Sequence, residues 1–366
     1  MGKSKALIFY TYLPPWRIDV FNEIGNQFEL MIVFLNANSE GFTYNRELLL
    51  TQLKVNCIFW NKGIDIGSKA FRFGIYRIVK EYKPQVVFTH EYSPTSILLS
   101  IFLRLNLFPF KLVVTTSDNL KMAEGVRGLK KYFRKYVLSR SSGAVVYSEE
   151  VKSWYQNQFP ELNIDVCPNI QNPESLLKHK TTFPEIAQAH RDKFKLGKKI
   201  ILFVGRLEQV KGVDLLIKAF ASTLKESHYL VLVGDGSQKD KLFHLSLKYK
   251  VKNKVIFAGH FDGAALYAWY SMANFFVLPS RYEPFGAVVN ESLVFGCPVL
   301  ASKHIGALDY ISEGKNGFIF DPEDRNDFER CLLKAEEQFT TSGIERPDMM
   351  ICSFQKYIKA FTSVLT

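Results

Sequence analysis

Residues 279–302 read PSRYEPFGAVVNESLVFGCPVLAS and follow a short apolar run at 275–278. Such a run, bounded by Pro279, predicts a fully buried strand. Glu283 stands just past its end, Pro284-Phe285-Gly286 opens a helix, and Glu291 lies about two turns further along. Another apolar run, 299–301, begins the next strand. Strand, helix and strand in this rhythm form a parallel crossover unit.

The same alternation extends in both directions. Expected strands in the first half are residues 6–10, 30–35, 55–59, 85–89, 111–115, 143–147 and 164–166; in the second half they are 199–204, 229–233, 255–258, 275–278, 299–301 and 317–320. Between the two sets runs CPNIQNPESLLKHKTTFPEIAQ, polar and carrying Pro168, Pro173 and Pro184. The expectation is therefore α/β, two doubly wound Rossmann-like domains, 1–170 and 171–346. A chain of 366 residues is also too long for one hydrophobic core. Apolar residues at helical spacing in the tail (Ile351, Phe354, Ile358, Phe361, Val364) predict a last helix within 347–366 that must cover another surface.

Composition narrows the class. Hydrophobic residues make up 47% and charged residues 23%, which excludes disordered, collagen-like and polytopic membrane chains. Cys57, Cys167, Cys297, Cys331 and Cys352 are odd in number and lack Cys-x-x-Cys spacing, arguing against a disulfide framework or structural zinc and for a reducing, cytoplasmic compartment. The start, MGKSKALIFYTYLPPW, is too short in its apolar part for a signal peptide, and Arg104, Asn106, Pro109 and Lys111 interrupt the only other suspect stretch. No transmembrane helix is expected.

Lys and Arg number 47 against 36 Asp and Glu, a net charge of +11 that suits a polyanionic partner. Much of the surplus in the first half sits in GVRGLKKYFRKYVLSR, where Lys130, Lys131, Arg134, Lys135 and Arg140 interleave with Leu129, Tyr132, Phe133 and Tyr136. That pattern reads as a basic amphipathic helix for an anionic membrane surface, or as a core helix with a solvated basic face. Without a recognition-helix motif or an aromatic RNA-binding run, nucleic acid is not the expected partner.

In doubly wound sheets ligands bind at the carboxyl ends of strands. After 275–278, the amides of Phe285, Gly286, Ala287 and Val288 at a helix start suit a diphosphate, while Glu283 and Glu291 suit hydroxyls of a sugar and a ribose. After 199–204 comes GRLEQVKG, where Gly205, Arg206 and Lys211 place two cations at a strand end with only Glu208 as an acidic neighbour in the segment. Two unpaired cations suit a phosphate clamp. VLVGDGSQKDKL offers Gly234 for close backbone approach to a ligand, and VIFAGHF offers His260 at a further strand end.

In this order, GRL-x4-KG, VGDG, F-x-G, PS-x2-EPFG-x4-E, a G-x-PV strand and an NG turn resemble the C-terminal domain of family 4 retaining glycosyltransferases of the GT-B fold, over residues 199–330. The resemblance implies two Rossmann-like domains facing a central cleft, with the last helix crossing back to the N-terminal domain. It implies a nucleotide diphosphate sugar donor, UDP- or GDP-linked, with Arg206 and Lys211 on the diphosphate, Glu283 on the sugar and Glu291 on the ribose. In the first half, VVFTHEYSP makes His90 the match for the histidine beneath the transferred sugar, and Ser117-Asp118-Asn119 border the acceptor side. The first loop departs from the family: TYLPPWRIDVF lacks the usual Gly-Gly pair, so Trp16 and Arg17 either replace its phosphate contact or face the acceptor.

The expected activity is metal-independent, retaining hexosyl transfer without a cofactor, to a glycan or lipid-linked acceptor in bacterial-type surface polysaccharide or glycolipid synthesis. The enzyme is expected on the inner face of the plasma membrane. A GT-B nucleotide-sugar epimerase or hydrolase is the alternative, and a basic membrane- or nucleic-acid-binding protein a further one.

Overall fold

Strands form where β-branched and aromatic residues run together. In the computed structural model, which describes residues 2–36, 45–67, 69–197, 199–340 and 346–366, they are β1 Lys5–Tyr10, β2 Glu29–Phe34, β3 Asn56–Phe59, β4 Gly63–Ile66, β5 Lys69–Arg72, β6 Val86–His90, β7 Lys111–Thr115, β8 Gly143–Val146 and β9 Asn163–Val166. The second half adds β10 Ile200–Val204, β11 Tyr229–Val233, β12 Val255–Gly259, β13 Phe275–Leu278, β14 Val299–Ser302 and β15 Gly317–Phe320. The chain divides into two units, Met1–Asn172 with Phe354–Thr366, and Pro173–Ser353.

The first unit holds a seven-stranded sheet in the order β3-β2-β1-β6-β7-β8-β9, with every pairing parallel. Its helices cover both faces. On one face Leu7, Phe9, Val87 and Leu112 pack with Ile75, Val79 and Leu99, and further along it Val114, Ala144 and Val146 pack with Val137, Leu138 and Tyr155; on the other, Tyr10 and Phe34 meet Phe21, and Phe88 meets Phe361. The second unit holds a six-stranded parallel sheet, β12-β11-β10-β13-β14-β15. All five residues of β10 are buried, as a central parallel strand covered on both faces requires.

Both sheets change direction at one place: beside β1, between β2 and β6, and beside β10, between β11 and β13. These switch points open crevices at the strands' carboxyl ends.

Two features differ from the sequence reading. The antiparallel hairpin β4–β5 was not anticipated; its apolar residues Ile64, Ile66 and Phe71 are exposed, so it offers no buried run. The tail makes two short helices, Phe354–Ile358 and Ala360–Ser363, in place of one. The return to the first unit begins at Phe354, later than residue 347, because the Met349 amide still bonds Leu293 O at 2.9 Å and Asn316 donates to Met349 O at 3.0 Å. Phe354, Ile358, Phe361 and Val364 are buried, with Phe361 edge-on to Phe88.

Candidate active site

The loop after β10 carries Gly205, exposed Arg206 and, one turn later, Lys211; the loop after β13 carries Glu283. Since β10 and β13 are neighbours, the two loops meet, and the Lys211 ammonium pairs with the Glu283 carboxylate. Each side chain is 16% exposed. Lys211 is thus not the unpaired cation the sequence suggests: its partner lies in a separate segment, whereas Glu208 accepts from the amide and hydroxyl of Ser237 at 3.0 and 2.6 Å.

Glycines allow this crowding. Gly212 has φ +66°, and a Cβ there would stand 2.1 Å from Pro279 O. A Cβ on Gly234 would meet Gly205 O at 2.0 Å, so the close backbone approach expected of Gly234 is made to the adjacent loop. Gly234 N also donates to Gly259 O at 2.8 Å, and His260 follows, exposed, beyond the edge strand β12.

Arg281 was not singled out in the sequence, and it fastens these loops. Its guanidinium forks onto Asp214 at 2.7 and 2.9 Å, reaches Glu323 at 2.9 Å and donates to Gln209 O at 2.9 Å. This geometry fixes the 209–211 turn against the β13 loop. Its partners are tens of residues away, beyond any local pattern.

Past Glu283 the chain makes Gly286, φ +99°, and enters the helix Ala287–Val294, with Val289 N closing on Gly286 O at 2.9 Å. Ala287 and Val288 head this helix, whose first amides lack intrahelical acceptors. Phe285 contributes backbone only, its ring being buried edge-on to Tyr310. Glu291 accepts from the buried Tyr270 hydroxyl at 3.0 Å. A cation, a cation–carboxylate pair and a helix N-terminus therefore share one strand-end crevice, able to bind an anion and a hydroxyl together.

In the first unit the switch point is at β1 and β6. His90 ends β6, stacks on Tyr10 of β1 with centroids 4.2 Å apart, and sets Nδ1 3.3 Å from Thr115 Oγ1. Burial, and next the Arg17 guanidinium, push its pKa down to about 3, so the imidazole is neutral at physiological pH. Arg17 is itself buried, over the Tyr147 ring and donating to Pro168 O at 3.4 Å; Trp16 is half-buried.

Beside His90, the carboxylate of Glu91 accepts from the Ser117 amide and hydroxyl at 2.8 and 2.6 Å. Asp118 accepts from Tyr155 Oη at 2.6 Å, and burial, then Glu91, raise its pKa. Asn119 caps the helix Leu120–Gly125 through Met122 N at 2.9 Å. Glu91 and Tyr155 join this network without having been picked out from sequence, since adjacency to His90 was the only local signal.

The helix Gly128–Leu138 also divides differently from expectation. Arg134 is buried, 3.2 Å from Tyr155 Oη and 3.9 Å from Asp118, and Arg140 folds over the Tyr136 ring. Lys130, Lys131 and Lys135 remain on the outer face with exposed Leu129 and Tyr132. Among the described residues no cluster of three or more His, Cys, Asp or Glu could hold a metal, and no helix is long and apolar enough to cross a membrane.

Two doubly wound parallel sheets, each with its crevice at a switch point, define the GT-B fold. Residues 186–348 match the family model for glycosyl transferases group 1. An uncharacterized glycosyltransferase of Methanocaldococcus jannaschii is 33% identical over 202 residues, 55% of this chain and 50% of that one. The matches span half or less of the length of such curated relatives. Among solved structures, the lipopolysaccharide outer core galactosyltransferase WaaB superposes with a TM-score of 0.71 at 18% identity, covering 98% of each chain. HepE of Anabaena, solved with UDP, gives 0.71 at 18% over 98% of this chain and all of its own; its UDP-glucose complex gives 0.68 at 17% with the same coverage.

Proposed function

We propose that this chain is a retaining glycosyltransferase that moves a hexosyl group from a UDP- or GDP-linked donor to a hydroxyl of a glycan or lipid-linked acceptor. The observation that carries the reading is the Lys211–Glu283 pair beside Arg206 and the helix Ala287–Val294, at the switch point of the C-terminal sheet. The family match and the UDP and UDP-glucose complexes of HepE support it.

In this reading the sugar C1–O bond to the diphosphate breaks as the acceptor oxygen bonds C1 on the same face, and the acceptor proton passes to the departing phosphate oxygen. Arg206, Lys211 and the amides of Gly286, Ala287 and Val288 stabilise the charge gathering on the diphosphate. Glu283 orients Lys211 and accepts from a sugar hydroxyl, Glu291 holds the ribose, and Gly205, Gly234, Phe285 and His260 shape the nucleotide end through backbone and edge contacts. Neutral His90 adds no positive charge where cationic character develops on the sugar. No cofactor or metal is required in this proposal, so EDTA leaves turnover unchanged.

Trp16, Ser117, Asp118 and Asn119 belong to the acceptor side, with Arg17 acting from beneath by fixing the first loop. The basic aromatic face of the helix Gly128–Leu138 places the enzyme on the cytoplasmic face of an anionic membrane, where surface polysaccharide or glycolipid precursors are built; WaaB, a lipopolysaccharide enzyme, is consistent with that setting. The test is a thermal-shift screen over nucleotides, then product analysis with the stabilising donor. Expected are stabilisation by UDP or GDP and a glycoside keeping the donor's anomeric configuration. Inversion, or nucleotide release unaffected by any acceptor, contradicts the reading.

A further inference from the structure

The N-terminal unit contains a cavity of about 810 Å³ lined by the β4–β5 hairpin, the helix Pro94–Arg104 and the helix Gly128–Leu138. That volume lies in the ~300–1,000 Å³ range of small-molecule sites. Its walls are mainly apolar: Phe71 and Phe73 from the hairpin, Leu98 and Ile101 from the middle helix, Leu129 and Phe133 from the basic one. Phe73 is 63% and Leu129 75% exposed, an arrangement the unit's own core does not need. The hairpin wall is fixed, because buried Arg72 donates to Leu35 O at 2.7 Å and pairs with Asp65 at 2.8 Å.

The lining also has polarity in a definite order. Glu91 and the buried Asp118 stand at the end next to His90, whereas Lys69 and Lys130 are exposed. A free glycan leaves the apolar walls wet, and a purely apolar ligand strips water from the partly exposed Glu91 carboxylate at a cost. A ligand with hydroxyls at one end and a hydrocarbon chain behind them satisfies both. We propose that this cavity holds the apolar chain of a lipid-linked acceptor, with its hydroxyl-bearing head at Glu91 and Asp118 and its chain leaving past Lys69 and Lys130 toward an anionic lipid surface. This rests on the glycosyltransferase reading and names its acceptor class.

The probes are hexyl, octyl and decyl β-glucosides, each titrated calorimetrically into the full chain below its critical micelle concentration. Affinity is expected to rise about fourfold per added methylene. Ile101→Glu and Phe133→Glu, each at a partly exposed wall position, should flatten that rise while residues 2–172 resist limited proteolysis as in the unaltered chain, which reports that the N-terminal unit carrying the substitutions folds. Equal affinity for hexyl and decyl glucoside, or the same rise in both variants, overturns the proposal. Failure of the unaltered chain to bind UDP or GDP contradicts the donor reading alone, since the chain-length series is read independently.

Discussion

Lys211 and Glu283 illustrate how much a single contact decides. Each is an ordinary charged residue in its own segment; only the β10–β13 pairing makes them one group. Lys211→Ala leaves Glu283 uncompensated and, in the proposed reading, removes a phosphate partner, so turnover should fall about 10²–10³-fold with the melting curve still cooperative. Arg281 acts through others. Arg281→Ala should lower kcat by up to about 10²-fold through misplacement with a smaller change in KM, and Arg281→Lys should recover only part because it lacks the fork. Steady-state kinetics of the pair separates positioning from a general loss of stability.

His90 supplies a pH prediction. Its folded pKa of about 3 lies below the ordinary value of 6.5, so between those values the unfolded chain binds a proton that the folded chain does not. Stability therefore falls as pH drops through that window. His228, held near 4 chiefly by burial, adds the same sign in the other unit, while raised Asp118 adds the opposite sign in its own range. The urea midpoint should be lower at pH 5 than at pH 7, and His90→Asn should reduce the difference; an unchanged difference contradicts the assignment.

Among the elements, the helix Gly128–Leu138 faces two ways. Val137, Leu138 and Arg134 turn inward, and Lys130, Lys131 and Lys135 outward. Changing the three outward lysines to Glu should abolish flotation with anionic liposomes and leave folding intact; equal flotation contradicts the membrane role. Arg134→Glu is different in kind, since it sets a new carboxylate against Asp118 and should destabilise the unit. Sequence period alone could not separate these lysines from Arg134, because both readings of the helix fit one spacing.

The parallel strands were legible for a simple reason: buried runs such as β10 and β13 are continuous and apolar. The β4–β5 hairpin was not, since its apolar side chains face solvent and leave no run. Gly212 and Gly234 were visible as glycines, but what crowds them, Pro279 O and Gly205 O, lies on other loops. At the strand ends, Arg206, Lys211 and Glu283 are candidates by position alone, whereas the contacts of Arg281, Glu91 and Tyr155 depend on partners far along the chain.

For the whole molecule, the returning tail makes the N-terminal unit discontinuous. Phe354, Ile358, Phe361 and Val364 are buried in it, each contributing about 1.5–3 kcal/mol against a domain stability of ~5–15 kcal/mol. Ending the chain at Ser353 should therefore expose residues 2–172 to limited proteolysis while 173–353 resists it. Equal resistance of both units would contradict the tail's role.

In the proposed reading the C-terminal unit binds a nucleoside diphosphate at the β10–β13 switch point through Arg206, Lys211 and the helix Ala287–Val294. Calorimetric titration of UDP and GDP in EDTA, into the unaltered chain and into Lys211→Ala, tests it most directly. Saturable binding of one of the two is expected, weakened about 10–100-fold by the substitution. No binding of either nucleotide, or equal affinity in both proteins, would contradict it.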